Sequence, residues 1–129
     1  MLDNAPACYV KSSPIHGMGL FADIPFLKGE TVLNYGLFPE VWFECFYSDL
    51  PEEKKEKSNF VMIDSERCIT TDRRTKFGYV NHSRHPNCDY DFKNRLLIAN
   101  RIITPDEEIT LDYRNEPAPP GGGSFPDWV

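Results

Sequence analysis

Apolar residues in this chain come in short runs separated by Gly, Pro, Asn and Asp, and no long amphipathic stripe joins them. The runs at 9–11, 19–22, 31–34, 59–63, 68–70, 90–93, 95–103 and 108–113 are rich in β-branched and aromatic side chains. Bounded by turn residues, they read as short strands. One segment carries helical spacing. After Pro39, whose fixed φ suits a first helical turn, Val41, Trp42, Cys45 and Phe46 fall on one stripe before Asp49-Leu50-Pro51. This predicts a short capping helix. The stretch "PEEKKEKS" at 51–58 reads as a charged, solvated loop or frayed helix. In "RNEPAPPGGGSFPDWV", beyond Tyr113, Pro and Gly oppose both helix and central strand. Phe125 and Trp128 are costly side chains to leave in water there, so the tail is expected to cover something.

Composition narrows the class. A chain of 129 residues is expected to be one domain over 1–129 that buries roughly two-thirds of its unfolded surface. At 40% hydrophobic and 13% aromatic it is too apolar for disorder, while its apolar runs fall short of the ~20 residues that span a bilayer. A soluble, non-membrane protein is expected. Met1-Leu2-Asp3-Asn4 lacks the basic and apolar regions of a secretory signal, which points to an intracellular, reducing compartment, cytoplasmic or nuclear. A net charge of −6 and a pI near 5 disfavour direct nucleic-acid binding and favour cationic, Lys-rich partners. The four cysteines, Cys8, Cys45, Cys68 and Cys88, show no C-x-x-C spacing and are expected as free, mostly buried thiols. His82-x-x-His85-x-x-Cys88 holds three metal-capable side chains, but Pro86 interrupts any regular helix and no fourth ligand lies nearby. No metal is expected.

Gly17-Met18-Gly19-Leu20-Phe21-Ala22 fits the G-x-G-x-x-A pattern of a dinucleotide loop. That use needs a helix after the glycines, and Pro25 breaks one. The local alternative is a tight turn between two antiparallel strands.

Two further segments give the loop its context: "YVNHSRHPNC" at 79–88 and "PDEEITLDY" at 105–113. With "HGMGLFA" at 16–22, in this order, they resemble the SET-domain protein lysine methyltransferases, most of all the short stand-alone bacterial and viral members. The resemblance covers a core of about 9–113. It implies a mainly β fold, a β-clip of several small sheets with one or two short helices and a C-terminal pseudoknot. It also implies S-adenosylmethionine as methyl donor, S-adenosylhomocysteine as product, and a protein substrate with an exposed lysine, histone among the candidates.

The implied chemistry is in-line transfer of a methyl group from a sulfonium to an amine, in which positioning does most of the work. Lysine has a reference pKa of ~10.4, so about one molecule in 10³ is neutral at pH 7. A narrow aromatic channel beside a sulfonium disfavours the ammonium. Backbone acceptors, an orienting hydroxyl and few carboxylates are therefore expected at the site. The resemblance assigns Gly17, Met18 and Gly19 to the methionine end of the cofactor, the Asn81 side chain to its amino group and the His82 backbone to its adenine. Tyr113 is expected to orient the lysine amine as the catalytic residue, with Tyr35 and Tyr79 as channel walls or core. Glu107 and Glu108 are read as structural, with Glu108 paired to a basic side chain. Residues 114–129 are expected to form a lid, with Phe125 in the channel and Trp128 over the cofactor. Leu111 stands where the family often has Phe or Tyr, and without a hydroxyl there products are expected to extend beyond monomethyl-lysine. Departures are Arg84 where Cys is frequent, Asp106 where Gly is usual, and the lack of a cysteine cluster after the core. The rival reading is a silent SET-like module that holds a lysine-containing partner without turnover.

Overall fold

The computed structural model describes residues 2–56 and 60–117. Its strands in chain order are β1 (Cys8–Ser12), β2 (Met18–Ala22), β3 (Thr31–Asn34), β4 (Trp42–Phe46), β5 (Phe60–Met62), β6 (Arg67–Thr71), β7 (Asn81–His82), β8 (Cys88–Asp91), β9 (Leu96–Ala99) and β10 (Thr110–Leu111). A short helix, α1 (Glu52–Glu56), follows Pro51, with two acidic residues in its first turn and two lysines in its last, charges that suit the helix dipole. The strands form small sheets: β1-β2, β10-β7, β3-β9-β8 and β4-β6-β5.

One core serves nearly all of them. Leu20 and Ala22 from β2, Val32 and Leu33 from β3, Leu97 and Ala99 from β9, and Ile109 and Leu111 at the C-terminal end are buried together. Loss of this apolar surface from water is what holds such short ladders in place, because a two-stranded hairpin alone is marginal. A smaller cluster of Leu50, Met62 and Cys68 packs with Cys45, Tyr47 and Phe60 at the β4-β6-β5 sheet.

The helix expected after Pro39 is instead strand β4. Its five residues pair antiparallel with β6, from Trp42 opposite Thr71 to Phe46 opposite Arg67. Pro39 lies in the turn ahead of it, closed by Val41 N–H to Phe38 O at 3.0 Å. Four residues at helical spacing are a short signal, aromatic side chains also suit strands, and the partner strand decides.

The C-terminal segment is what assembles the site. Residues 106–111 run beside β2, with Asp106 N–H to Ala22 O at 2.7 Å, Ala22 N–H to Glu107 O at 2.9 Å and Ile109 N–H to Leu20 O at 2.7 Å. On its other side β10 pairs in parallel with β7, Thr110 opposite Asn81 and Leu111 opposite His82. Asn87 then closes over it: its Nδ2 donates to Glu108 O at 2.8 Å and its Oδ1 accepts from Thr110 N–H at 2.9 Å. The segment is thus bonded on one side to β2 and on the other to the 81–87 stretch, the knot-like arrangement expected for this fold.

Candidate active site

The glycine turn joins β1 to β2, as its local reading requires. Gly17 sits at φ +48, a left-handed conformation that glycine adopts without a Cβ penalty, and a Cβ there would point into open space. Gly19 is constrained differently. A Cβ on it would lie 2.5 Å from Glu108 Oε2 and 3.0 Å from Ser13 Cβ. Its lack of a side chain makes room for the Glu108 carboxylate.

That carboxylate organises the loop. It accepts from Ser13 Oγ, 2.7 Å from Oε1, and from Asn81 Nδ2, 2.9 Å from Oε2. Ser13 Oγ in turn accepts from Ile15 N–H at 2.9 Å. Asn81 Nδ2 also lies 3.0 Å from His16 O and 3.2 Å from Met18 O. These bonds correct the expected basic partner of Glu108: its partners are a hydroxyl and an amide. Glu107 is the member of the pair that meets a cation, Arg101, at 3.1 Å. The neighbouring Asp106, in place of the usual glycine, adopts φ +69, which Asp tolerates better than most residues, and accepts from Tyr9 Oη at 2.5 Å.

Tyr113 stands at the exit of β10, half-buried. Its N–H donates to His82 Nδ1 at 3.1 Å, its ring lies 5.2 Å from the His82 ring, and its hydroxyl donates to Val80 O at 2.5 Å. Burial raises its pKa, helped by the charges of Glu116 and Glu108, so the phenol stays protonated. Burial also holds His82 below the usual imidazole range, against the opposing pull of Asp112. Asp112 is held to about 2, chiefly by its hydrogen bond to the Arg114 guanidinium, and accepts from Arg114 N–H as well.

The structure therefore brings Gly17, Gly19, Asn81, His82 and Tyr113 to one place through the contacts of 106–113. Met18 lies on the same turn with its side chain 46% exposed. Tyr35 is in the core, 1% exposed, with ring centroids 4.9 Å from Phe77 and 6.3 Å from Trp42. Tyr79 is half-buried under Arg74, whose Nη1 donates to its hydroxyl at 2.7 Å. Leu111 is buried in the core beside β7. Phe125 and Trp128 lie outside the described residues. All four thiols are free, and burial pushes Cys8, Cys68 and Cys88 up to about 12. Among the described residues no three His, Cys, Asp or Glu side chains are placed to hold a metal ion, and no helix is long and apolar enough to cross a membrane.

Sequence reasoning passed over Ser13 and Glu116, and gave Asn87 no role beyond its motif. Asn87 had a signal, its fixed place after Ser83 and Pro86. Glu116 had none. It is three residues beyond Tyr113, accepts from Tyr90 Oη at 2.5 Å and lies near Met62 N–H at 3.4 Å. The expectation of few carboxylates near Tyr113 meets an exception here.

A compact set of small sheets, a glycine turn and a C-terminal strand held against an Asn-His pair define the architecture of SET domains, and the SET-domain sequence family matches residues 17–114. The chain belongs to the SET-domain family. It is 34% identical over 120 residues to a Plasmodium falciparum protein named "Putative histone-lysine N-methyltransferase 1", covering 82% of this chain and 2% of that protein. It is 31% identical over 116 residues to the Emericella nidulans "Histone-lysine N-methyltransferase, H3 lysine-4 specific", covering 81% of this chain and 9% of that protein. The chain thus spans a small part of these relatives. A crystal structure of a Plasmodium falciparum "putative histone methyltransferase" superposes with a TM-score of 0.60 at 18% identity, over 83% of this chain and 92% of that one. That likeness is one of fold.

Proposed function

We propose that this domain transfers a methyl group from S-adenosylmethionine to the ε-amine of a lysine in a protein, with histones as the first substrates to test. The observation that carries the reading is the convergence of three separated motifs. Asn81 bonds to the glycine turn at His16 O and Met18 O, and His82 accepts from the backbone of Tyr113. The names of the relatives support it.

The residues fit a cofactor with an amino-acid end. Beside Gly17 there is room, since a Cβ there would meet nothing within 4 Å. With Nδ2 committed to the loop and to Glu108, Asn81 keeps Oδ1 to accept from an amino group. The bound cofactor supplies an activated methyl carbon on a sulfonium. The chain's own part is to hold and orient. Tyr113, kept protonated by burial and fixed by Val80 O and the His82 ring, is the hydroxyl beside which the lysine nitrogen would be set. Leu111 offers no hydroxyl to hold a methylated amine back, so products should extend beyond monomethyl-lysine, and Leu111→Tyr should shift them toward fewer methyl groups.

The test is incubation with methyl-labelled cofactor and a panel of Lys-rich proteins, histones included. Label should appear on lysine with the wild type, and Tyr113→Phe should lower turnover at least tenfold while S-adenosylhomocysteine still binds. Absence of lysine label across the panel, or wild-type turnover by Tyr113→Phe, would overturn the reading.

A further inference from the structure

The four thiols take no part in the function as described, and two of them meet. Cys45 on β4 and Cys68 on β6 stand directly opposite one another in the antiparallel ladder, although 23 positions separate them in sequence, and their Sγ atoms lie 3.7 Å apart. Directly opposed residues of an antiparallel pair have Cα atoms about 4.5–5.5 Å apart, inside the roughly 4.4–6.8 Å window of a disulfide. Closing the two sulfurs to the ~2.05 Å of an S–S bond is therefore within reach of side-chain rotation on strands already in place. The two thiols differ in access. Cys68 is fully buried with Leu50 and Met62, while Cys45 is half-buried on β4, the edge strand of its sheet. Phe43, two residues along β4 and so on the same face as Cys45, is 47% exposed, which leaves that face open to small solutes. Lys55 supplies a cation: its Nζ lies 4.6 Å from the centre of the Tyr47 ring, Tyr47 packs on the Cys68 cluster, and the ammonium charge favours a thiolate at the pair. Cys8 and Cys88, by contrast, are buried in the main core.

We infer that Cys45 and Cys68 form a site of reversible covalent modification, a dithiol that a hydroperoxide converts to an intramolecular cross-strand disulfide. The site stands apart from the proposed methyl transfer and does not depend on it. In the first step the Cys45 thiolate attacks hydrogen peroxide: an S–O bond forms, the O–O bond breaks, and the departing hydroxide takes up the proton the thiol released and leaves as water. Cys45 is then a sulfenic acid, oxidised by the two electrons that reduced the peroxide. In the second step Cys68 Sγ attacks Cys45 Sγ: the S–S bond forms, the S–O bond breaks, and hydroxide leaves with the Cys68 proton as water. The sum is two thiols and one peroxide giving one disulfide and two waters. Burial and the bond to Cys45 push Cys68 up to about 12, so it keeps its proton until a leaving oxygen is there to take it, which suits it to the second step. An added thiol reverses the modification by exchange at the more accessible Cys45 sulfur.

The test needs only the wild-type protein. After treatment with hydrogen peroxide, the remaining thiols are alkylated in denaturant and the protein is mapped by mass spectrometry without reduction. Alkylatable cysteines should fall from four to two, with Cys8 and Cys88 still reactive and a Cys45–Cys68 crosslinked peptide present. The rate of its formation should not change with protein concentration, as an intramolecular bond requires, and dithiothreitol should restore all four thiols. Four alkylatable thiols after treatment would overturn the proposal. So would a Cys45 that runs on to sulfinic acid, or joins a second chain, while Cys68 stays alkylatable. A variant assigns the order of the steps: in Cys68→Ser the oxidation should stop at a Cys45 sulfenic acid that dimedone captures. A folded Cys68→Ser protein that dimedone does not label would refute Cys45 as the attacking thiol.

Discussion

Replacing Gly19 with Ala tests the reading of the loop most directly, because the glycine's conformation is ordinary and any cost must come from contact. The added Cβ would stand 2.5 Å from Glu108 Oε2, 2.9 Å from Glu108 Cδ and 3.0 Å from Ser13 Cβ, inside any tolerable approach. A free carboxylate would swing away at little cost. This one is tied to Ser13 and Asn81, and withdrawing it breaks hydrogen bonds to a charged group worth about 1.5–3 kcal/mol each. Alanine returns roughly 0.5–1 kcal/mol by stiffening the unfolded strand. The net cost should be about 2–5 kcal/mol, a fall in Tm of roughly 8–20 °C. Urea and thermal unfolding of the wild type, Gly19→Ala, Glu108→Ala and the double variant provide the assay. In the Glu108→Ala background the alanine should cost far less, with a coupling of at least about 1.5 kcal/mol. If Gly19→Ala lies within about 0.5 kcal/mol of the wild type, or the two substitutions are additive, Glu108 does not set the requirement for glycine.

Three other outcomes are expected. Asn81→Ala should weaken S-adenosylhomocysteine binding by about 1.5–3 kcal/mol in calorimetry, and should also lower stability, because the amide holds His16 O, Met18 O and Glu108. Asp106→Gly should relieve the φ +69 strain but lose the Tyr9 hydroxyl, so it should stabilise a Tyr9→Phe background more than the wild type in denaturant melts. Asp112 is depressed to about 2, chiefly by Arg114, so its contribution is present above the unfolded value of about 3.8 and is lost as pH falls through about 2. The stability gap between wild type and Asp112→Asn, followed by chemical unfolding, should therefore close between pH 4 and 2.

Much of the strand order was legible because alternation and turn residues are local properties. The runs at 31–34 and 19–22 became β3 and the body of β2, and the turn between β1 and β2 follows from glycine spacing. The three motifs named the family and the residues that meet at the site, since motif order survives without geometry. The 42–46 segment shows where local reading stops: its stripe fits a helix or a strand, and pairing with β6 chose the strand. Only the tertiary structure could give Gly19 its reason, because the carboxylate it makes room for comes from Glu108 at the far end of the chain. The same holds for Asn87, whose bonds to Glu108 and Thr110 exist only once the C-terminal segment lies against it. Glu116 is the clearest case. Its carboxylate meets Tyr90 and Met62, both distant in sequence, and partial burial pushes its pKa up to about 7. Burial and long-range contact set the strength of electrostatic effects, and neither is a property of any short stretch of sequence.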